Sequence, residues 1–147
     1  MTTAPDPPSD AFNLERFTKA QGPVWDGVLA ELRAGRKDSH WMWFVFPQLA
    51  TLGRSPTAKH FGLSGLAEAR AFLAHPVLGP RLLQAAGILL QVPPTDAVAI
   101  FGNVDAMKLR SCLTLFAAAA PQQRVFADCL DRYFGGATDE ETVRALA

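Results

Sequence analysis

RKDSHWMWFVFPQ, residues 36–48, sets two tryptophans, two phenylalanines, a methionine and a valine behind two cations and a histidine, and ends at a proline. Residues 39–46 are apolar on nearly every side, so they fit a buried strand or a buried helical turn equally well by periodicity. Helix is the expected state, because nowhere else does the chain offer a partner strand of comparable quality. Ser39 is the expected cap, and Pro47 ends either element. On a helix, residues 40, 44 and 48 share one face, so that His40 and Gln48 bracket Phe44.

Working outward, the same punctuation recurs. NLERFTKAQ reads as a short helix capped by Asn13, and Pro23 opens a second whose apolar positions Val24, Val28, Leu29 and Leu32 recur at helical spacing before Gly35. Ser55 with Pro56, then Ser64, mark the starts of two further helices. Leu78 to Leu90 forms a largely buried one, closed by Pro93 and Pro94. Thr95 is the expected cap of DAVAIFG, Gly102 its end, and Asn103 or Asp105 the start of the next helix. The double glycine at 135–136 terminates QQRVFADCLDRYF, and Thr138 with Glu141 makes a capping-box pattern before the last helix. Residues 1–11 are expected to form a disordered tail, being rich in proline, aspartate and small polar residues. The fold expected over residues 12–147 is all-α, a single compact domain of about seven to nine short helices with no repeat.

Charge narrows the function. Lys+Arg and Asp+Glu are equal at 14 each, so no overall field draws the chain to long polyanions or anionic membranes. Locally the balance breaks: Arg33, Arg36, Lys37, Arg54, Lys59 and Arg70 stand against Asp38 and Glu68, while residues 128–141 hold five acids against Arg132. A solvated basic face is the plain reading, and a site for an anionic ligand the functional one. Cys112 and Cys129 sit in apolar helical contexts and read as core. The three histidines lack metal spacing, so no metal and no cofactor are expected. No run of 18 apolar residues exists and MTTAPDPPSD lacks the features of a secretory leader, which together suggest a cytoplasmic protein.

The aromatic run doubles as core and as a candidate ligand wall. Trp41 or Trp43 would stack on a planar ring, with Arg36 and Lys37 meeting phosphate or carboxylate. In GNVDAMKLRSCLTLF, residues 102–116, Asp105, Lys108 and Ser111 fall at i, i+3 and i+6 and would line one stripe at a helix start. If that stripe faces the run, Asp105 could position a water, Lys108 stabilise developing charge and His40 assist, with Gln48 and Ser111 as polar contacts. The plain alternative is a weak surface pair between Asp105 and Lys108.

Over RAGRKDSHWMWFVFPQLATLGRSPTAKHFGL, EARAFLAHPVLGPRL, IFGNVDAMKLRSCLTLF and DRYFGG, the chain resembles a widespread bacterial family of small domains of unknown function, sometimes mislabelled calpastatin. The likeness runs from Phe12 to Gly136 and implies a compact all-helical fold without assigning an activity. Where that family more often reads KxRSSMTLF, this chain has Cys112 and Leu113, which removes one hydroxyl and leaves Ser111. A fainter similarity links residues 105–130 to the NADAR family, whose members resemble N-glycosidases acting on ADP-ribose or related ribosyl nucleotides. The resulting expectation is a pocket joining residues 36–48 with 105–111 that holds a small phosphorylated nucleoside and cleaves its N-glycosidic bond. The rival is a non-catalytic module that docks a partner protein through an exposed aromatic edge.

Overall fold

The computed structural model describes residues 10–147, and the nine residues before them, most of the expected tail, lie outside the described residues. Short amphipathic segments separated by glycine, proline and capping residues become helices α1 (Glu15–Gln21), α2 (Trp25–Arg33), α3 (Met42–Val45), α4 (Pro56–His60) and α5 (Leu66–Ala74). They continue as α6 (Leu78–Gln91), α7 (Ala97–Ala119), α8 (Arg124–Phe134) and α9 (Glu140–Leu146). The all-α single domain expected from the sequence is the one observed. β-type pairing among the described residues is confined to an isolated parallel bridge between Leu49 and Leu63.

α7 is the axis of the molecule. Its Leu109, Cys112, Leu113, Leu115 and Phe116 are sealed from solvent, and α5, α8 and α9 pack around it. α8 presents Phe126, Cys129 and Leu130 at helical spacing and rests on both α6 and α7. Both thiols are buried, which pushes their pKa values up, that of Cys129 to about 12. They are core, as their contexts suggested.

Two glycines let backbones meet. A Cβ on Gly62 would lie 2.3 Å from Ala50 Cα, and one on Gly79 would lie 2.0 Å from the Leu73 carbonyl oxygen. A third, Gly102, adopts φ +79° and ψ 169° and bends α7 sharply into a short first segment and a long second one. The stop and restart expected at this position therefore take the form of a kink that only glycine enters readily.

Caps agree with the sequence where the motif is unambiguous. Ser55 accepts from Ala58 N–H, and Gly35 and Gly135 take positive φ at helix ends. Elsewhere the structure moves the cap. Asp96 rather than Thr95 caps α7, and Asp139 rather than Thr138 caps α9, because a carboxylate next to the hydroxyl is the stronger acceptor at the positive end of a helix. Asn13 is left-handed at φ 52° and does not cap α1. The Asp10 carboxylate does, accepting from Leu14 N–H at 2.6 Å and Glu15 N–H at 2.9 Å. Those bonds hold its pKa below the ordinary value. Ser64 is not a cap either, since α5 starts from Gly65 and the buried Glu68 takes the Ser64 N–H.

Glu68 also anchors Arg16 at 2.9 Å, and Arg16 donates to the carbonyls of Phe12, Asn13, His60 and Gly62. One guanidinium thus fastens α1 to the end of α4. On the opposite side Arg132 donates to the carbonyls of Leu90 and Val92, closing the end of α6.

Candidate functional site

The aromatic run folds around a carboxylate supplied by α2. Glu31 accepts from the backbone N–H groups of Asp38 and Ser39, from Ser39 Oγ, and from Trp41 Nε1 at 3.1 Å. Burial pushes its pKa up, but the bonds from Ser39, Asp38 and Trp41 outweigh it and the net displacement is downward. Ser39 is therefore consumed by Glu31 and does not cap α3. The helix that follows is a single turn, with Phe46 already leaving helical geometry at φ −121° and ψ 71°.

That brevity breaks the expected face. His40 precedes the turn and is exposed, and Gln48 follows Pro47, so residues 40, 44 and 48 do not share a helical line. Trp41 and Phe46 are each 1% exposed and pack with Phe101 at ring separations of 6.4 and 6.1 Å. Trp41 is thus core. The other indole, Trp43, is half-buried.

The two segments do meet. The Lys37 N–H donates to the Ile100 carbonyl at 2.8 Å, which sets the loop against the start of α7. Lys37 Nζ then lies 2.8 Å from Asp105 Oδ2, 2.6 Å from the Ser39 carbonyl and 5.0 Å from the centroid of the Trp41 ring, with its side chain only 6% exposed. Asp105 Oδ1 stands 3.6 Å from Lys108 Nζ, and that ammonium lies 5.1 Å from the centroid of the Trp43 ring. A chain of alternating charge, Lys37 to Asp105 to Lys108, thus runs from the interior outward, with one indole at each end.

The roles expected from the sequence divide accordingly. Lys37 is a fixed internal cation, so its assignment as a phosphate contact is corrected. Asp105 has an oxygen turned to each lysine. Arg36 points outward, its side chain 78% exposed and paired with Asp38 at 3.3 Å. Lys108, Ser111 and Gln48 face a cleft of about 710 Å³ between the 48–55 loop, α7 and the start of α9. Ser111 Oγ donates to the Met107 carbonyl at 3.2 Å and remains beside that space.

The cleft is also lined by Arg54, Arg110, Arg144, Glu140 and Glu141, none of them among the expected site residues. Arg110 is spent on the carbonyls of Ala137 and Thr138, while Thr114 Oγ1 accepts from Asp139 N–H at 2.9 Å. These bonds dock α9 so that its acids and Arg54 line the same cleft. The signal was present in the charge distribution. The basic excess of residues 33–70 and the acidic excess of 128–141 supply side chains to one hollow.

An all-helical domain with a mixed-charge cleft against its central helix is the class these features define. The chain belongs to the family described as protein of unknown function (DUF1810), whose model matches residues 11–146. It is similar to the crystal structure of the conserved hypothetical protein Rv1873 from Mycobacterium tuberculosis, with 50% identity, a TM-score of 0.92, and coverage of 93% of this chain and 98% of that one. None of the curated proteins matches the chain. The family membership and the fold are those expected from the motifs at residues 36–48 and 100–116. Among the described residues, no single helix is long and apolar enough to cross a membrane.

Proposed function

We propose that the cleft binds a small phosphorylated nucleoside or ADP-ribose-like molecule and serves hydrolysis of its N-glycosidic bond. The observation that carries this reading is the meeting of Lys108, Arg54 and Arg144 with Glu140 and Glu141 around a single 710 Å³ hollow. That volume suits a nucleotide-sized ligand. Cations supply charge-assisted contacts to phosphate, and Ser111 and Gln48 offer neutral hydrogen bonds to ribose hydroxyls.

Cleavage of the C–N bond needs a water deprotonated as it attacks the anomeric carbon, and negative charge beside the positive character that develops there. Asp105 is committed to Lys37 at 2.8 Å and lies 3.6 Å from Lys108, so its part is electrostatic and not that of a base. Water activation falls to Glu140 or Glu141, and the departing base leaves with the C–N electron pair and takes up the proton that the carboxylate removed from the water. The likeness of residues 105–130 to the NADAR family supports the same substrate class.

Calorimetric titration with ADP-ribose tests the binding. Saturable heat is expected for the natural chain, with at least about tenfold weaker binding for Lys108→Ala and a melting temperature within a few degrees. Proton NMR of the mixture reports released base, and Glu141→Gln combined with Glu140→Gln should abolish it. Absence of heat with ADP-ribose and with nucleoside monophosphates defeats the reading.

A second reading draws support from Val104 and Met107, which are 66% and 71% exposed beside the cleft. A docked partner protein would engage these two side chains, since Trp41 and Phe46 of the aromatic run are sealed.

A further inference from the structure

Lys108 borders two spaces at once. It lines the open cleft, and it also lines a slot walled by Trp43, Met42, Phe46 and Phe61. Gln48, Ala58 and Lys108 are common to both, so the slot adjoins the cleft with the lysine at their shared border. Its free volume is about 10 Å³, room for roughly one water. A half-buried indole in a slot beside a cleft is a stacking platform for a planar ring, yet here an ammonium occupies its face at 5.1 Å from the centroid.

The hold on that ammonium is loose. Asp105 gives its close contact, 2.8 Å, to Lys37, and stands 3.6 Å from Lys108, beyond hydrogen-bonding distance. The Lys108 side chain is 23% exposed where that of Lys37 is 6%. Lys37 is fixed by three partners, whereas Lys108 is free to turn towards an anion in the cleft.

We propose that Lys108 is a cover displaced by the ligand: the phosphate of an incoming nucleotide draws the ammonium off Trp43, and the planar base takes the vacated indole face. This rests on the cleft being a phosphorylated-nucleoside site and adds that ring and phosphate bind as a coupled pair. Cation–π contact and base stacking are of similar strength, so exchanging one for the other is nearly balanced. The ion pair formed with phosphate tips it. A nucleoside without phosphate meets a closed slot, because nothing compensates the lysine for leaving.

Calorimetry with adenosine, adenosine 5′-monophosphate and ribose 5-phosphate separates the possibilities. The natural chain is expected to bind the nucleotide and to bind adenosine at least roughly tenfold more weakly. In Lys108→Ala adenosine binding should tighten roughly tenfold while nucleotide binding weakens, and adding Trp43→Ala should remove that gain. A gain cannot come from misfolding, so the result is readable even if the variant loses stability. Unchanged or weaker adenosine binding in Lys108→Ala, with nucleotide binding intact in the natural chain, overturns the cover and leaves the cleft reading standing. A natural chain that binds neither phosphorylated probe overturns both.

Discussion

Lys37 and Lys108 carry the same side chain and share one carboxylate, but burial gives them opposite tasks. A nearly sealed ammonium requires a counter-charge, and Asp105 provides it. Asp105→Asn is therefore expected to cost about 3 kcal/mol in urea unfolding, because it strands Lys37 against the Ser39 carbonyl and the Trp41 face. The double change Lys37→Met with Asp105→Leu should recover most of that loss, a non-additivity expected of a contacting pair. A loss below about 0.5 kcal/mol for Asp105→Asn, the level of an exposed pair, would show Lys37 to be adequately solvated. Glu31 makes a prediction about pH. Its carboxyl titrates below its ordinary 4.5 in the folded protein, so the stability it contributes is present above the unfolded value and disappears as pH falls through the folded one. The stability difference between the natural chain and Glu31→Gln should therefore be largest near neutrality and shrink below pH 4.5, as read from urea midpoints across that range. A difference that stays constant through the acid range would mean the loop is not held by the ionised form.

At the scale of elements, glycines separate those that bend the chain from those that only weaken it. Gly102 holds φ +79° at the kink of α7, so Gly102→Ala should destabilise by about 1–3 kcal/mol and blur the angle that brings Asp105 to Lys37. Gly87 lies in mid-helix of α6, where an added Cβ would meet nothing within 4 Å, and Gly87→Ala should stabilise by about 0.5–1 kcal/mol. Thermal unfolding of the two variants, shifted in opposite directions, checks both. This scale is also where the sequence was most legible. Ser55–Pro56, Gly35 and Gly135 act through bonds within one turn, and local spacing reveals them. Caps were misplaced by one residue where Thr95 and Asp96, or Thr138 and Asp139, compete side by side. The extent of α3 was not legible, because Glu31, seven residues or more upstream of its partners, decides where the loop ends and the turn begins.

At the scale of the whole molecule, residues 36–48 and 105–111 touch through the ion pair of Lys37 with Asp105, while only Gln48, Lys108 and Ser111 of the expected site residues line the cleft. Which side chains would face the hollow was not readable, because that depends on burial set by α2, α7 and α9 together: Trp41 and Lys37 turn inward, Trp43 and Lys108 outward. Arg54, Glu140 and Glu141 come from distant parts of the chain, and the docking of α9 through Arg110 and Thr114 brings them to one cleft. The central claim is that this hollow holds a phosphorylated nucleoside by its cations. Thermal unfolding against increasing ADP-ribose tests it most directly, since a ligand of the folded state raises apparent stability with the logarithm of its concentration, by about 2.7 kcal/mol at a hundred times Kd. The melting temperature of the natural chain is predicted to climb in this way, and that of the Arg54→Ala, Lys108→Ala double variant to stay flat. Equal shifts in the two proteins, or none in either up to millimolar ligand, would contradict it.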